Sequence, residues 1–292
     1  MPAPFGRLAT AMITPFTADG LVNLPEAARL AAYLVDDQLN DALIVNGTTG
    51  EAPTTTDDEK RALVEATKAA VGDRAKIVAG VGTFDTAHSV HLAQAAAAAG
   101  ADGLLVVTPY YSRPPQDALV THFRAVADAT DLPVMIYDIP HRAGVPVEEA
   151  TLIQLAEHPN IVAVKDAKGA PVSSAKVMAA SGLAYYAGDD AMLLPLLAVG
   201  AAGVVGTSTH FTGARTKAVI DAYVAGDVTL ALDLYRALLP VYTGVFATQG
   251  CMLVKAGLAD RGFAPGGLRP PLQPASVAQT AAFVALLDAA EL

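Results

Sequence analysis

Short runs of aliphatic and β-branched residues recur along this chain, and stretches of helical length separate them. The runs fall at 8–13, 42–45, 76–81, 103–107, 134–137, 161–165, 184–187 and 203–205. Continuous apolar runs of this length read as strands buried on both faces, the condition of a parallel sheet. Alanine-rich segments lie between them, at 25–37, 57–71, 86–99, 116–129, 147–157, 172–180 and 190–199. Strand starts are roughly 20 to 35 residues apart, the length of a βα unit. Eight such units predict an α/β fold, a closed (β/α)8 barrel. The competing doubly wound sheet often stops at about five or six strands. It is disfavoured further because no Gly-x-Gly-x-x-Gly follows the first run. Thr56 and Glu59 form a capping-box pair at a helix start, and Gly100 reads as a helix stop.

After Val205 the pattern becomes helical, with segments at 213–225, 227–241, 244–257 and 275–290. The first can serve as the eighth barrel helix. The expected organisation is therefore a catalytic barrel over 1–226 and a C-terminal helical appendage over 227–292. The glycine- and proline-rich stretch 266–274 reads as an extended connector before the last helix.

Composition narrows the partners. A chain of 292 residues that is 53% hydrophobic can bury a large core. Its formal charge of −10 argues against nucleic acid and anionic membranes. The single cysteine, Cys251, excludes an internal disulfide and fits a reducing, cytoplasmic setting. The first residues lack the layout of a signal peptide. The apolar stretch 191–205 is broken by Pro195, Gly200 and Gly203 and is too short to span a bilayer.

In a parallel barrel, chemistry collects where strands end and βα loops begin. Those ends carry Asn46-Gly47-Thr48-Thr49-Gly50-Glu51, Thr108-Pro109-Tyr110-Tyr111, Tyr137-Asp138-Ile139-Pro140-His141-Arg142, Lys165, and Gly188-Asp189-Asp190. Lys165 closes the run Ile161-Val162-Ala163-Val164. An amine there can lose water, fall in pKa and act as a Schiff-base nucleophile. The alternative is a solvated lysine, or one paired with Asp166. A Schiff-base lysine needs an acid/base group within reach, and Tyr137 on the adjacent strand can supply it. Thr48 or Thr49 can relay protons, and their loop offers N–H groups to a carboxylate. Arg142 can grip a second carboxylate with paired hydrogen bonds. Plainer roles compete: a tight turn at 47–51, a packed tyrosine pair at 110–111, a surface cation at Arg142, and a helix start at Asp189-Asp190. Tyr185-Tyr186 should alternate in and out of the sheet as structural residues. His88 and His91 lack an evident third ligand, so no metal is expected.

Four of these motifs together, Gly47-Thr48-Thr49-Gly50-Glu51, Thr108-Pro109-Tyr110-Tyr111, Tyr137-x-x-Pro140-x-Arg142 and Val164-Lys165-Asp166, resemble the dihydrodipicolinate synthase family of pyruvate-dependent class I aldolases. The likeness runs from about Arg7 to Pro274, with the motifs in order. The resemblance implies that Lys165 forms the Schiff base with pyruvate and that Tyr137 is the general acid/base. It implies that Thr48 links Tyr137 to Tyr111, the latter lent by an adjacent subunit. Thr49 would hold the pyruvate carboxylate, Arg142 the carboxylate of aspartate semialdehyde, and Gly188 and Val205 would stand beside the lysine. The implied activity is condensation of these two substrates toward lysine and diaminopimelate, without metal or organic cofactor. The implied assembly is a homo-oligomer, at least a dimer, and members are mostly tetramers. Sialic acid lyases resemble the chain at 47–51 and at the lysine but generally lack an arginine at position 142. They and the 2-keto-3-deoxy-sugar-acid aldolases are the alternative enzymes. A non-catalytic keto-acid sensor is the third possibility, and it has no need of a proton relay.

The chain departs from the family pattern in two places. Ala52 stands where serine is frequent, and Gly206-Thr207-Ser208-Thr209-His210 replaces a serine-valine pair, altering a wall of the expected pocket. At positions matching the family's allosteric lysine site stand Ala52, Pro53, Asp57 and Lys60, with Phe84 and His88 further on and Tyr110 retained. Weak or absent feedback by lysine is expected.

Overall fold

The structure is a computed structural model and describes residues 2–292, so residue 1 of the expected barrel span lies outside the described residues. Eight strands follow the apolar runs: β1 (Leu8–Ala11), β2 (Ala42–Val45), β3 (Lys76–Gly80), β4 (Gly103–Val107), β5 (Val134–Asp138), β6 (Ile161–Asp166), β7 (Ala184–Ala187) and β8 (Gly203–Gly206). They pair in parallel, each with the next, and β8 returns to β1 to close the barrel. Gly203 permits that closure, because a Cβ there would meet the Arg7 carbonyl oxygen.

The intervening helices are α1 (Leu24–Asp36), α2 (Asp57–Val71), α3 (Thr86–Ala98), α4 (Gln116–Ala127), α5 (Pro140–Ala143), α6 (Glu149–Leu155), α7 (Pro171–Ser181), α8 (Leu193–Ala198) and α9 (Thr209–Val224). Then come α10 (Val228–Gly244), α11 (Gly250–Asp260) and α12 (Val277–Ala289). The capping box at α2 forms: Thr56 Oγ1 accepts from Glu59 N, and Glu59 Oε2 accepts from Thr56 N at 2.8 Å. Such a cap stabilises a helix by about 1 kcal/mol. Gly100, at φ +88°, ends the turn after α3.

Strand alternation builds two apolar layers. Ala9, Ile44, Val78, Leu105, Met135, Ala163, Tyr186 and Val205 fill the barrel interior. Their alternates, including Leu43, Ile77, Leu104, Ile136, Val164 and Tyr185, pack outward against the helices. The Tyr185-Tyr186 pair splits between these layers as the period-2 rule requires. The Tyr186 hydroxyl accepts from Phe5 N and donates to the Gly6 carbonyl at 2.9 Å, tying the N-terminal segment across the barrel floor. Leu253, Phe283 and Leu287 of the appended helices belong to the same apolar cluster as the outer barrel layer.

Two helix boundaries differ from expectation. The eighth barrel helix begins at Thr209, not Gly213; Thr209 and His210 are buried in its first turn, where Thr209 Oγ1 accepts from the Thr10 hydroxyl and His210 Nε2 accepts from Ile13 N. The expected helix over 244–257 is broken: α10 runs to Gly244, residues 245–249 turn, and α11 starts at Gly250. Leu286 of α12 passes so close to Gly244 that a Cβ would overlap it, and the turn carries Phe246, Thr248 and Gln249 to the barrel mouth. Among the described residues, no helix is long and apolar enough to cross a membrane.

Candidate active site

The C-terminal ends of the strands open into a cavity of about 740 Å³. Thr48, Thr49, Tyr137, Arg142, Lys165 and Gly188 line it, so six of the eight expected site residues converge. The β5–β6–β7 register sets Tyr137, Lys165 and Tyr186 side by side on the interior face. The Lys165 amine lies 4.3 Å from the centre of the Tyr137 ring.

Lys165 is 4% exposed. Burial pulls its ammonium down to about 8; the Asp190 carboxylate pulls it back up, and Arg142 pushes it further down. Pairing with Asp166 does not occur. That carboxylate accepts from Lys168 N at 2.8 Å and from the Ser174 hydroxyl, and among the described residues no carboxylate stands within ion-pair distance of the Lys165 amine. Burial pushes the Tyr137 phenol up to about 12, opposed by the Arg142 charge and a hydrogen bond with the Thr48 side chain. The pair is therefore matched: an amine that can be neutral, beside a phenol that keeps its proton. Gly188 allows this crowding, since a Cβ would come 3.1 Å from both Lys165 Cγ and the Asp166 carbonyl oxygen.

Asp190 is a buried anchor rather than a free acid. Its Oδ1 accepts from Ser208 N at 2.9 Å and from the Ser208 hydroxyl, and its two oxygens share Thr207 N. Asp189 caps the following turn by accepting from Ala191 N at 3.0 Å. The expected alteration of the pocket wall at 206–210 reduces to one residue. Only Thr207 of that segment lines the cavity; Ser208, Thr209 and His210 turn into the protein. His210 Nε2 accepts from Ile13 N at 3.2 Å while Nδ1 meets the Thr207 carbonyl, and burial pulls its pKa down to about 4, keeping the ring neutral.

Two expected residues stand elsewhere. Val205 lies fully buried in the barrel interior, below the cavity rather than on its wall. Tyr111 is 94% exposed with φ +72° and does not enter the cavity of its own chain. Its neighbour Tyr110 packs edge-on against Phe84 at 5.5 Å. Ala52, Pro53, Asp57, Lys60, Phe84, His88 and Tyr110 line a second cavity of about 280 Å³, which also reaches Thr48 and Tyr137. His88 there meets Asp57 at 3.0 Å.

The C-terminal helices supply what sequence reasoning missed. Tyr242, Phe246, Gln249 and Cys251 wall the main cavity, as do Pro271 and Leu272 of the connector. Arg142 Nη2 donates to Gln249 Oε1 at 2.8 Å. Glu51 pairs with Lys255 at 2.6 Å, both side chains almost fully buried. Arg269 grips Glu59 with two hydrogen bonds, and its pull, with the α2 cap, lowers that carboxyl to about 2. One signal was available: Lys255 interrupts the apolar run 251–254 on a helix.

A closed parallel barrel that buries a lysine beside a tyrosine at its mouth has the architecture of a Schiff-base lyase of the class I aldolase type. The dihydrodipicolinate synthetase family model matches residues 4–290, and the chain belongs to that family. A curated relative from Cutibacterium acnes, a 4-hydroxy-tetrahydrodipicolinate synthase, is 60% identical over the whole of both chains. Another of that name, from Acidothermus cellulolyticus, is 61% identical over 96% of this chain and 91% of its own. Among solved structures, the enzyme from Cyanidioschyzon merolae with lysine bound superposes with a TM-score of 0.97, at 37% identity over the full length of both. That from Acinetobacter baumannii complexed with pyruvate gives 0.94 at 30% identity, covering 98% of this chain and 99% of its own.

Proposed function

We propose that this chain is a 4-hydroxy-tetrahydrodipicolinate synthase, condensing pyruvate with L-aspartate 4-semialdehyde. One observation carries the chemistry: the desolvated Lys165 amine, 4.3 Å from the Tyr137 ring centre, in an open barrel mouth. The neutral amine adds to the pyruvate carbonyl. Tyr137 donates a proton to the departing hydroxyl as the carbinolamine loses water, leaving the imine. The resulting Tyr137 phenoxide takes a methyl proton to give the enamine, which attacks the semialdehyde as that proton is returned to the aldehyde oxygen. The semialdehyde's own amine then displaces Lys165, closing the ring and freeing the lysine. Thr49 holds the pyruvate carboxylate, Arg142 holds that of the semialdehyde, and Gly188 leaves room for the lysine side chain. Thr48 passes protons between Tyr137 and Tyr111 of an adjacent subunit, so the working form is at least a dimer. The chemistry requires no metal or organic cofactor, and its setting is the cytoplasm.

Arg142 favours the semialdehyde over sugar acids, because its exposed guanidinium at the mouth can grip a second carboxylate with paired charge-assisted hydrogen bonds, which a substrate without that group cannot accept. The test compares rates with aspartate semialdehyde, sialic acid and 2-keto-3-deoxy sugar acids. Arg142→Ala should lower kcat/KM for the semialdehyde by roughly 10- to 100-fold, the weight of a charge-assisted hydrogen-bond pair. The pyruvate adduct should still form. Faster turnover of a sugar acid, or an unaffected variant, would count against the assignment.

A further inference from the structure

The turn that carries Thr48 and Thr49 ends at Glu51, whose φ of +57° is the left-handed conformation. A residue with a side chain keeps that conformation only where its surroundings impose it. Here both carboxylate oxygens are taken. Oε1 accepts from the Lys255 amine at 2.6 Å, and Oε2 accepts from Arg269 N at 2.9 Å. The same amine donates to the Gly267 carbonyl at 2.6 Å and sits 4.2 Å from the Phe16 ring centre. Glu51 N in turn donates to the Thr48 carbonyl at 3.1 Å. A carboxylate fixed at position 51 therefore fixes the backbone of the turn before it.

A buried ion pair is weak support for stability, because desolvating both charges offsets their attraction. A buried pair that joins residues 204 apart, one from β2's loop and one from α11, has another use in setting a single arrangement of the loop. We infer that Lys255 is a positioning residue for the pyruvate pocket: through Glu51 it holds the Thr48–Thr49 turn in the geometry that receives the α-keto acid carboxylate. The inference rests on the proposed function in one respect, the role of Thr49.

The measurement is the pyruvate concentration that half-saturates borohydride trapping on the full-length protein, well below the unfolding temperature shown by circular dichroism. Lys255→Met should raise it about tenfold or more, as small misplacements of binding groups do. Lys255→Arg should restore most of the loss. The double variant Glu51→Gln, Lys255→Met buries no lone charge, so its Tm should recover toward wild type while half-saturation stays raised. A structural role alone would move the two together. Half-saturation that returns with Tm in the double variant, or that is unchanged in folded Lys255→Met, overturns the inference. If Lys255→Met does not fold, the double variant decides. No adduct in the wild type would instead remove the Schiff-base function itself.

Discussion

At the scale of single residues, environment decides what each group can do. An ordinary lysine is almost wholly charged at neutral pH, whereas an amine brought down to about 8 is neutral in roughly a tenth of molecules at pH 7. In the proposed mechanism only the neutral form attacks pyruvate. The kcat/KM for pyruvate should therefore rise with pH, reach half its plateau near about 8, and stay flat above, since Tyr137 is held at about 12. Arg142 pushes the amine down, so Arg142→Ala should move the rising limb to higher pH. A profile flat from pH 6 to 9 would contradict this, within the range such titrations span. Lys165 and Tyr137 were legible because a strand's period places them on one face and in one layer. Asp190 was not: as a sequence element it is only an acid at a helix start, and its grip on Thr207 and Ser208 arises from β8 lying beside β7.

At the scale of elements, the strands were the most legible. Each apolar run became a strand within a residue or two, because a strand buried on both faces has no other composition open to it. The break at 245–249 was hidden, since the helical period continues through it, and the close approach of Leu286 of α12 to Gly244 is a long-range contact that local pattern does not carry. The loop between β2 and α2 shows how an element's neighbours set its ligands. Its second cavity already holds the Lys60 amine, which donates to the Thr55 carbonyl, and the Asp57 carboxylate is engaged by His88. A free lysine would bring two more ammonium groups to a site whose acid is in use. Steady-state rates should thus respond weakly or not at all to added L-lysine. Inhibition at sub-millimolar concentrations would contradict the expectation.

At the scale of the whole molecule, the barrel mouth is finished by parts distant in sequence. Helix α11 and the connector wall the cavity from one side, an arrangement no local pattern announces. Tyr111, projecting fully exposed from the β4 loop, is the counterpart: a residue aimed away from its own site. If it serves the site of a second copy, inactive subunits should complement each other. Mixing Lys165→Ala with Tyr111→Phe protomers and letting them exchange should give hybrid dimers with one intact site, and roughly a quarter of wild-type activity after random pairing. Activity no higher than that of the separate variants would show that Tyr111 is not shared.

The central claim is the covalent step at Lys165, and reduction in place tests it most directly. The protein is treated with pyruvate and borohydride, digested, and its peptides weighed. A single reduced pyruvyl group on the Lys165 peptide, absent without pyruvate and absent in Lys165→Ala, is the predicted result. An unmodified Lys165, or label spread over exposed lysines such as Lys76 and Lys176, would contradict it.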